Sequence, residues 1–220
     1  MSRENPKQAL LTQFAAVAKA LGNAHRLELL EFVAQGEFSV EVLAKLAGLS
    51  VANASQHLIH LRRAGLLVSH QAGKRVLYRL ADDSVLNLTA ALRYVAERNV
   101  AEVKQLVDGY FFERDALDPV SREQLVEQMK QGLVTVLDVR PEDEYSSGHV
   151  PGALNITVAE LETRLTELPR NLEIVAYCRG AYCVLSFEAV ALLRLRGFNV
   201  RRLEDGFPEW RVAGLPIAYG

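Results

Sequence analysis

Ser50-Val-Ala-Asn-Ala-Ser-Gln-His-Leu-Ile-His-Leu-Arg-Arg-Ala64 is the stretch from which the architecture of the first half is read. Val51, Ala54, Leu58 and Leu61 recur at i, i+3, i+7 and i+10, which predicts one helix turning those four residues to a core. Ser50 stands where its hydroxyl can cap that helix. The opposite face shows Asn53, Gln56, His57 and His60. Amide and imidazole groups can hydrogen-bond base edges in a major groove. Surface polar residues on a helix are common, so the weight of these four rests on their surroundings.

Upstream, Gly48 supplies a tight turn, and Ser39 is placed to cap a short helix ending at Leu46, with Glu41 in its first turn. Leu27, Leu30 and Val33 form the core stripe of an earlier helix. Gly22 and Asn23 separate it from a first helix marked by Leu10, Leu11, Phe14, Val17 and Ala18. Helix, turn about a glycine, then helix is the helix-turn-helix signature. Downstream, Leu66–Gln71 and Arg75–Leu80 read as strands joined through Ala72-Gly-Lys74, a hairpin with basic residues at its tip. From Val42 to Ala81 there are six Lys/Arg and no Asp/Glu, as a surface facing phosphates requires. The candidate residues toward double-stranded DNA are Asn53, Ser55, Gln56, His57, His60, Arg62, Arg63, Lys74 and Arg75.

A chain of 220 residues has room for two compact domains. No apolar run approaches the roughly 18–20 residues that span a bilayer, and the N-terminus lacks a signal-peptide core. A cytoplasmic protein without membrane contact is expected. The net charge of −2 divides into +4 over residues 1–107 and −6 over 108–220. The two cysteines, Cys178 and Cys183, lie close together, and in a reducing cytosol such a pair is reactive or metal-bound more often than structural. Two ligands do not close a zinc site, so reactive thiols lead. No metal site and no cofactor is expected.

After Pro119 the pattern alternates. Val134–Val139, Glu173–Tyr177 and Val200–Leu203 read as strands, and 121–131, 158–168 and 184–196 as helices. That order predicts a mostly parallel sheet flanked by helices. Cys178-Arg-Gly-Ala-Tyr-Cys183 falls between a strand and a helix, and ligands bind beyond the carboxyl ends of such strands. A helix N-terminus favours an anion, here a thiolate or persulfide, and Gly180 permits a sharp turn. Between the halves, residues 108–118 include three consecutive aromatics, which predicts a short packed linker rather than a floppy one.

Leu21-Gly-Asn-Ala-His-Arg-Leu27, Ser55-Gln-His-Leu-Ile-His-Leu-Arg-Arg-Ala-Gly-Leu-Leu67 and Gly73-Lys-Arg-Val-Leu-Tyr-Arg79 resemble the ArsR family of winged helix-turn-helix repressors. That resemblance implies a homodimer built from the first helix and a later one, for which 84–107 offers Val85, Leu88, Ala91, Leu92, Val95 and Val103. Such dimers bind a pseudo-palindromic operator. The metal ligands of many relatives are missing, since residues 1–107 hold no cysteine and 84–107 no histidine. Leu137-Asp-Val-Arg-Pro141, Glu144-Tyr-Ser-Ser-Gly-His-Val-Pro-Gly-Ala153, the cysteine loop and Asp205-Gly-Phe-Pro-Glu-Trp210 resemble rhodanese domains in kind and order. By that resemblance Cys178 forms the persulfide, and Arg179, Gly180, Ala181, Tyr182 and Cys183 cradle it. Asp138, Arg140 and His149 are then structural or peripheral. Related phosphatases and arsenate reductases use a longer loop closed by an arginine, whereas position 183 here is cysteine.

The expected organisation is a mainly α winged helix-turn-helix domain over 1–107, the linker 108–118, and an α/β rhodanese-like domain with a mostly parallel sheet over 119–220. The expected function is a repressor that senses or transfers sulfane sulfur from thiosulfate, a persulfide or a polysulfide through Cys178. Cys183 is a candidate resolving thiol for a Cys178–Cys183 bridge. Two alternatives stay open. One is a DNA-tethered thiosulfate or persulfide sulfurtransferase without switching. The other is a sensor of a different thiol-reactive effector, such as an arsenic or selenium species.

Overall fold

The computed structural model describes residues 5–112 and 119–220. The part of the expected packed linker from 113 to 118 therefore lies outside the described residues. The chain separates into two compact units, dividing between Thr89 and Ala90.

In the first unit, α1 (Pro6–Leu21) begins with proline at N1 and Asn5 accepting from the Lys7 amide at 3.1 Å. Asn23 caps α2 (Ala24–Val33) in the same way, accepting from Arg26 N at 3.2 Å. A two-residue strand β1 (Phe38–Ser39) leads into α3 (Val40–Leu46). Ser39 occupies the N-cap position, but its hydroxyl bonds the Glu41 carboxylate instead of a backbone amide of the helix. Gly48, with φ +62°, makes the turn to α4 (Val51–Arg63), which Ser50 caps through Asn53 N at 3.2 Å.

The hairpin is β2 (Leu67–Ala72) and β3 (Arg75–Leu80), paired from Leu67↔Leu80 to Ala72↔Arg75. Gly73 sits at the first central turn position with φ +61°, where a type II′ turn requires glycine. Strand β1 adds antiparallel to β3, giving the order β1-β3-β2. Two residues offer no alternation to read, so β1 escaped the sequence pattern. Leu29, Leu43, Leu58 and Leu61 are fully buried beneath these elements. Val51 corrects the predicted stripe. It is 49 % exposed, because as the opening residue of α4 it stands ahead of the core contact that begins at Ala54.

Helix α5 (Ser84–Asn99) is followed by α6 (Ala101–Leu106) and a π-helical turn at Val107–Phe112. The single long helix expected over 84–107 thus breaks at Val100, whose φ −111° and ψ 110° are extended. Just before the break, the Asn99 amide caps Val95 O at 2.8 Å. Val85 is buried, whereas Leu88, Leu92 and Val95 are exposed on α5, as are Leu10, Leu11 and Phe14 on α1.

In the second unit, a Ser121/Gln124 capping box opens α7 (Arg122–Lys130). Then come β4 (Val134–Asp138), α8 (Glu142–Ser146), β5 (Leu154–Asn155), α9 (Val158–Leu161), β6 (Glu173–Tyr177), α10 (Val184–Leu195), β7 (Val200–Arg202) and α11 (Phe207–Val212). The sheet order is β5-β4-β6-β7, parallel throughout. Alternate residues supply two cores: Leu137, Ile174 and Ala176 pack with α9 and α10, while Val136, Val175 and Tyr177 pack with α7 and α11. The helix expected over 158–168 stops at Leu161 and resumes only as a 3₁₀ turn at Leu165–Glu167. There the Thr163 hydroxyl donates to Glu160 O at 2.8 Å, competing with the helical ladder. Among the described residues no helix is long and apolar enough to cross a membrane.

Candidate functional site

Strand β6 aims the cysteine loop. Ile174 and Ala176 face the α10 side, and Cys178 continues that alternation into the same apolar cluster, which also takes in Cys183. Cys183 is the N-cap of α10. The two cysteines are joined in a disulfide with Cα atoms 6.1 Å apart, inside the roughly 4.4–6.8 Å range that a bridge needs. Cys178 is 1 % exposed and Cys183 6 %. Arg179, Gly180, Ala181 and Tyr182 form the half-exposed outer turn, closed by Cys183 N donating to Gly180 O at 3.1 Å.

The loop is clamped from several sides. Arg179 Nε lies 3.0 Å from both Glu144 oxygens, and its Nη2 is 2.6 Å from Oε1. Phe207 N donates to Cys178 O at 3.0 Å, and Arg202 Nη1 donates to Ala181 O at 3.1 Å. Gly180 does not carry the glycine requirement, since a Cβ there meets nothing. Gly206 does: a Cβ on it would strike the backbone of Arg179 and Gly180. Glu144 and Gly206 therefore belong to the site although sequence reasoning gave them no role. Their signal was their membership in the quoted segments, but their contacts arise only in three dimensions.

Beneath the loop, Asp138 and Arg140 form a fully buried pair at 2.6 Å. Arg140 also donates to Gly148 O at 2.8 Å and lies over the Phe207 ring at 4.4 Å. The Tyr177 hydroxyl donates to Asp138 at 2.5 Å and accepts from Val150 N at 3.1 Å. Burial, reinforced by Asp138, drives the Tyr177 phenol far above its ordinary range, so it stays protonated. His149 stacks on Tyr145 at 3.7 Å and pairs through its backbone with Ala218. These groups hold the β4 end of the sheet.

On the first unit, Asn53, Gln56, His60, Arg62 and Arg63 are exposed along α4, with Ser55 and His57 half-buried. Lys74 and Arg75 are exposed at the hairpin tip. Burial, followed by the electrostatic influence of Arg26, His25 and His60, pushes His57 below its usual range. Its imidazole is thus uncharged at neutral pH and offers one donor and one acceptor. Arg62 Nη1 donates to Ser69 Oγ at 3.0 Å, tying α4 to β2. The acid-free stretch gains one carboxylate from outside, as Glu37 lies 3.3 Å from Arg79 and 3.7 Å from His70. Val51 and Ala52 are exposed at the start of α4. Apolar side chains there suit thymine methyl groups.

Residues 21–70 match a helix-turn-helix domain family, and residues 121–213 match the rhodanese-like domain family. With the basic hairpin and the cysteine loop, they define an ArsR-type winged helix-turn-helix protein carrying a C-terminal rhodanese domain. Over 214 residues the chain is 44% identical to the HTH-type transcriptional regulator Rv0324 of Mycobacterium tuberculosis, covering 97% of this chain and 94% of that one. It belongs to this family of HTH-type transcriptional regulators. Two relatives match one half each. A sulfurtransferase of Allochromatium vinosum is 33% identical over 85 residues, 38% of this chain and 78% of its own. The biofilm growth-associated repressor of Agrobacterium fabrum is 38% identical over 81 residues, 37% and 69%.

Proposed function

We propose that this regulator is a cytoplasmic, homodimeric repressor that leaves its operator when sulfane sulfur reaches Cys178. The observation that carries the reading is the pairing of Cys178 with Cys183 inside one six-residue loop at a strand end. The Cys178 thiolate attacks the outer sulfur of thiosulfate, forming a persulfide and releasing sulfite. The Cys183 thiolate then attacks Cys178 Sγ, closing the disulfide and expelling hydrosulfide. A persulfide or polysulfide donor enters the same way, with a thiol or shorter polysulfide as leaving group. Two thiols, or one dithiol, reopen the bridge.

The exposed polar face of α4 and the basic tip at Lys74 and Arg75 support operator binding. Exposed Leu88, Leu92 and Val95 on α5, and Leu10, Leu11 and Phe14 on α1, support a dimer. Repression is supported by the relative bearing that name.

The test uses an operator selected by the protein itself from random-sequence duplexes. Donor treatment of the reduced protein weakens binding about 5–150-fold, the range of a typical coupling, and Cys178→Ser abolishes the effect. Donor-induced release that survives in Cys178→Ser sinks the reading. The similarity to a sulfurtransferase favours a second reading, a DNA-tethered enzyme. It requires steady transfer of thiosulfate sulfur to an acceptor with operator affinity unmoved by donor.

A further inference from the structure

Within the second unit, the cysteine loop is fastened to the end of α5. Tyr182 precedes Cys183 directly, and its phenol hydrogen-bonds the carboxylate of Glu97. Burial, and after it the bond to Glu97, push the Tyr182 phenol up to about 12, so the hydroxyl remains a donor at any physiological pH. One turn earlier, Arg93 Nε lies 3.6 Å from Glu97, and Arg93 Nη1 lies 3.6 Å from Glu209. Glu209 in turn accepts from Gly206 N at 3.1 Å, and Gly206 is the residue pressed against the backbone of Arg179 and Gly180. The last turns of α5 thus touch the loop twice, directly through Tyr182 and by way of Arg93, Glu209 and Gly206. Sulfur transfer at Cys178 has no use for Glu97 or Arg93, which lie outside the chemistry.

We propose that the Tyr182–Glu97 hydrogen bond is the positioning contact through which the state of the cysteine pair is felt by α5. This deepens the function proposed above and rests on it for its biological meaning. Closing the bridge between residues 178 and 183 fixes the backbone of the four residues between them, Tyr182 included. Opening it restores their freedom, so the phenol meets Glu97 in one fixed place only in the bridged form. A helix is stiff along its axis, and Glu97 shares α5 with the exposed Leu88, Leu92 and Val95. A shift at Glu97 is therefore a shift of that apolar face. Linkage makes the effect reciprocal: if the bridge favours the hydrogen bond, the hydrogen bond favours the bridge by the same factor.

The reciprocal half can be measured without DNA. The full chain is equilibrated in glutathione buffers of graded ratio, and the bridged fraction is read by alkylation and intact mass. Two glutathiones open the bridge, yielding two cysteine thiols and one glutathione disulfide. Glu97→Ala and Tyr182→Phe should each make the bridge about 5-fold easier to reduce. The double variant should go no further than either single one, and Glu97→Gln, which keeps an acceptor, should restore most of the difference. Unchanged midpoints overturn the proposal, and so do shifts that simply add in the double variant, which mark two independent structural effects. The DNA half uses Glu97→Ala with sodium tetrasulfide as donor. It should react with donor and close the bridge as the parent does, yet lose at least about 5-fold of the donor-induced change in operator binding. A parent protein whose operator binding ignores tetrasulfide while the glutathione midpoints still shift would sink the proposed function and leave this contact standing. Full donor-induced release in Glu97→Ala would do the reverse.

Discussion

Arg179 and Glu144 are locked together across the second unit: the guanidinium fork meets both carboxylate oxygens at 2.6–3.0 Å, with the Glu144 side chain 2 % exposed and Arg179 13 %. The arginine of the cysteine loop is therefore bound to α8 by a bidentate, nearly dry ion pair. In the bland view this is a structural strut. In the functional view it sets the conformation of the residue following Cys178. Both views require that neither partner be removed alone.

Glu144→Ala should accordingly destabilise the second unit by about 3 kcal/mol, because it strands a largely buried guanidinium. Urea unfolding followed by fluorescence of Trp210, which is buried in this unit, reads the loss. A change below about 1 kcal/mol would place the pair among ordinary surface bridges.

Gly206→Ala tests the close approach of the 205–210 segment to the loop. The added methyl meets backbone rather than a flexible side chain, so the loop must shift. We expect a loss of about 1–3 kcal/mol in stability and markedly slower sulfur loading by intact mass. Loading at the parental rate would show that the loop geometry tolerates the displacement.

Cys183→Ser separates loading from resolution. Treated with donor, this variant should accumulate the mass of an added sulfur on Cys178 and show no two-hydrogen loss. Its operator release should be weaker than that of the parent. Full release would mean that the Cys178 persulfide switches alone.

The polar face of α4 and the hairpin tip should differ in kind. Gln56→Ala with His57→Ala should narrow the gap between operator and random duplex, since on the proposed reading the polar face of α4 meets base edges. Lys74→Ala with Arg75→Ala should weaken both duplexes alike and flatten the salt dependence. Fluorescence anisotropy across a salt series separates the two. Equal losses on all sequences from the α4 pair would mean that the reading face is misplaced.

An acid-limb effect follows from Glu173. Hydrogen bonds from Arg201, at 2.6 and 2.9 Å, hold this carboxyl below the usual carboxylate range. The folded chain therefore binds that proton less readily than the unfolded chain. The resulting stability is present above the unfolded value of about 4.3 and fades as pH falls through it toward the folded one. Glu173→Gln should flatten that part of the stability profile between pH 3 and 5 and leave the profile above pH 6 parallel to the parent. An unchanged acid limb would show the pair to be screened.

Much of this molecule was legible along the chain. Ala54, Leu58 and Leu61 declare α4 by spacing alone, because burying one face of a helix forces that period. Glycine at 73 declares the hairpin, since few other residues suit its φ of +61°. The strand at 173–177 and the helix at 184–195 declare the loop between them. Local rules decide such features, and local rules are written in neighbouring residues. The break of the long helix at Val100 was missed because β-branched residues elsewhere stay helical, and nothing nearby separates the two outcomes. Strand β1 was missed for want of length.

Neighbouring residues are enough to show the class: two units, a helix-turn-helix with a basic hairpin, and a strand-loop-helix bearing two cysteines. What surrounds those cysteines is set by the packing of distant segments. Glu144 reaches Arg179 from 35 residues away, and Arg202 reaches the carbonyl of Ala181 from 21. Gly206 is pressed against Arg179 and Gly180, and Glu97 meets Tyr182. Each of these contacts joins segments distant in the chain, and their distances are set by how the sheet and its helices pack. Periodicity reports which face of an element is buried. It carries no record of which residue from another element will be waiting there.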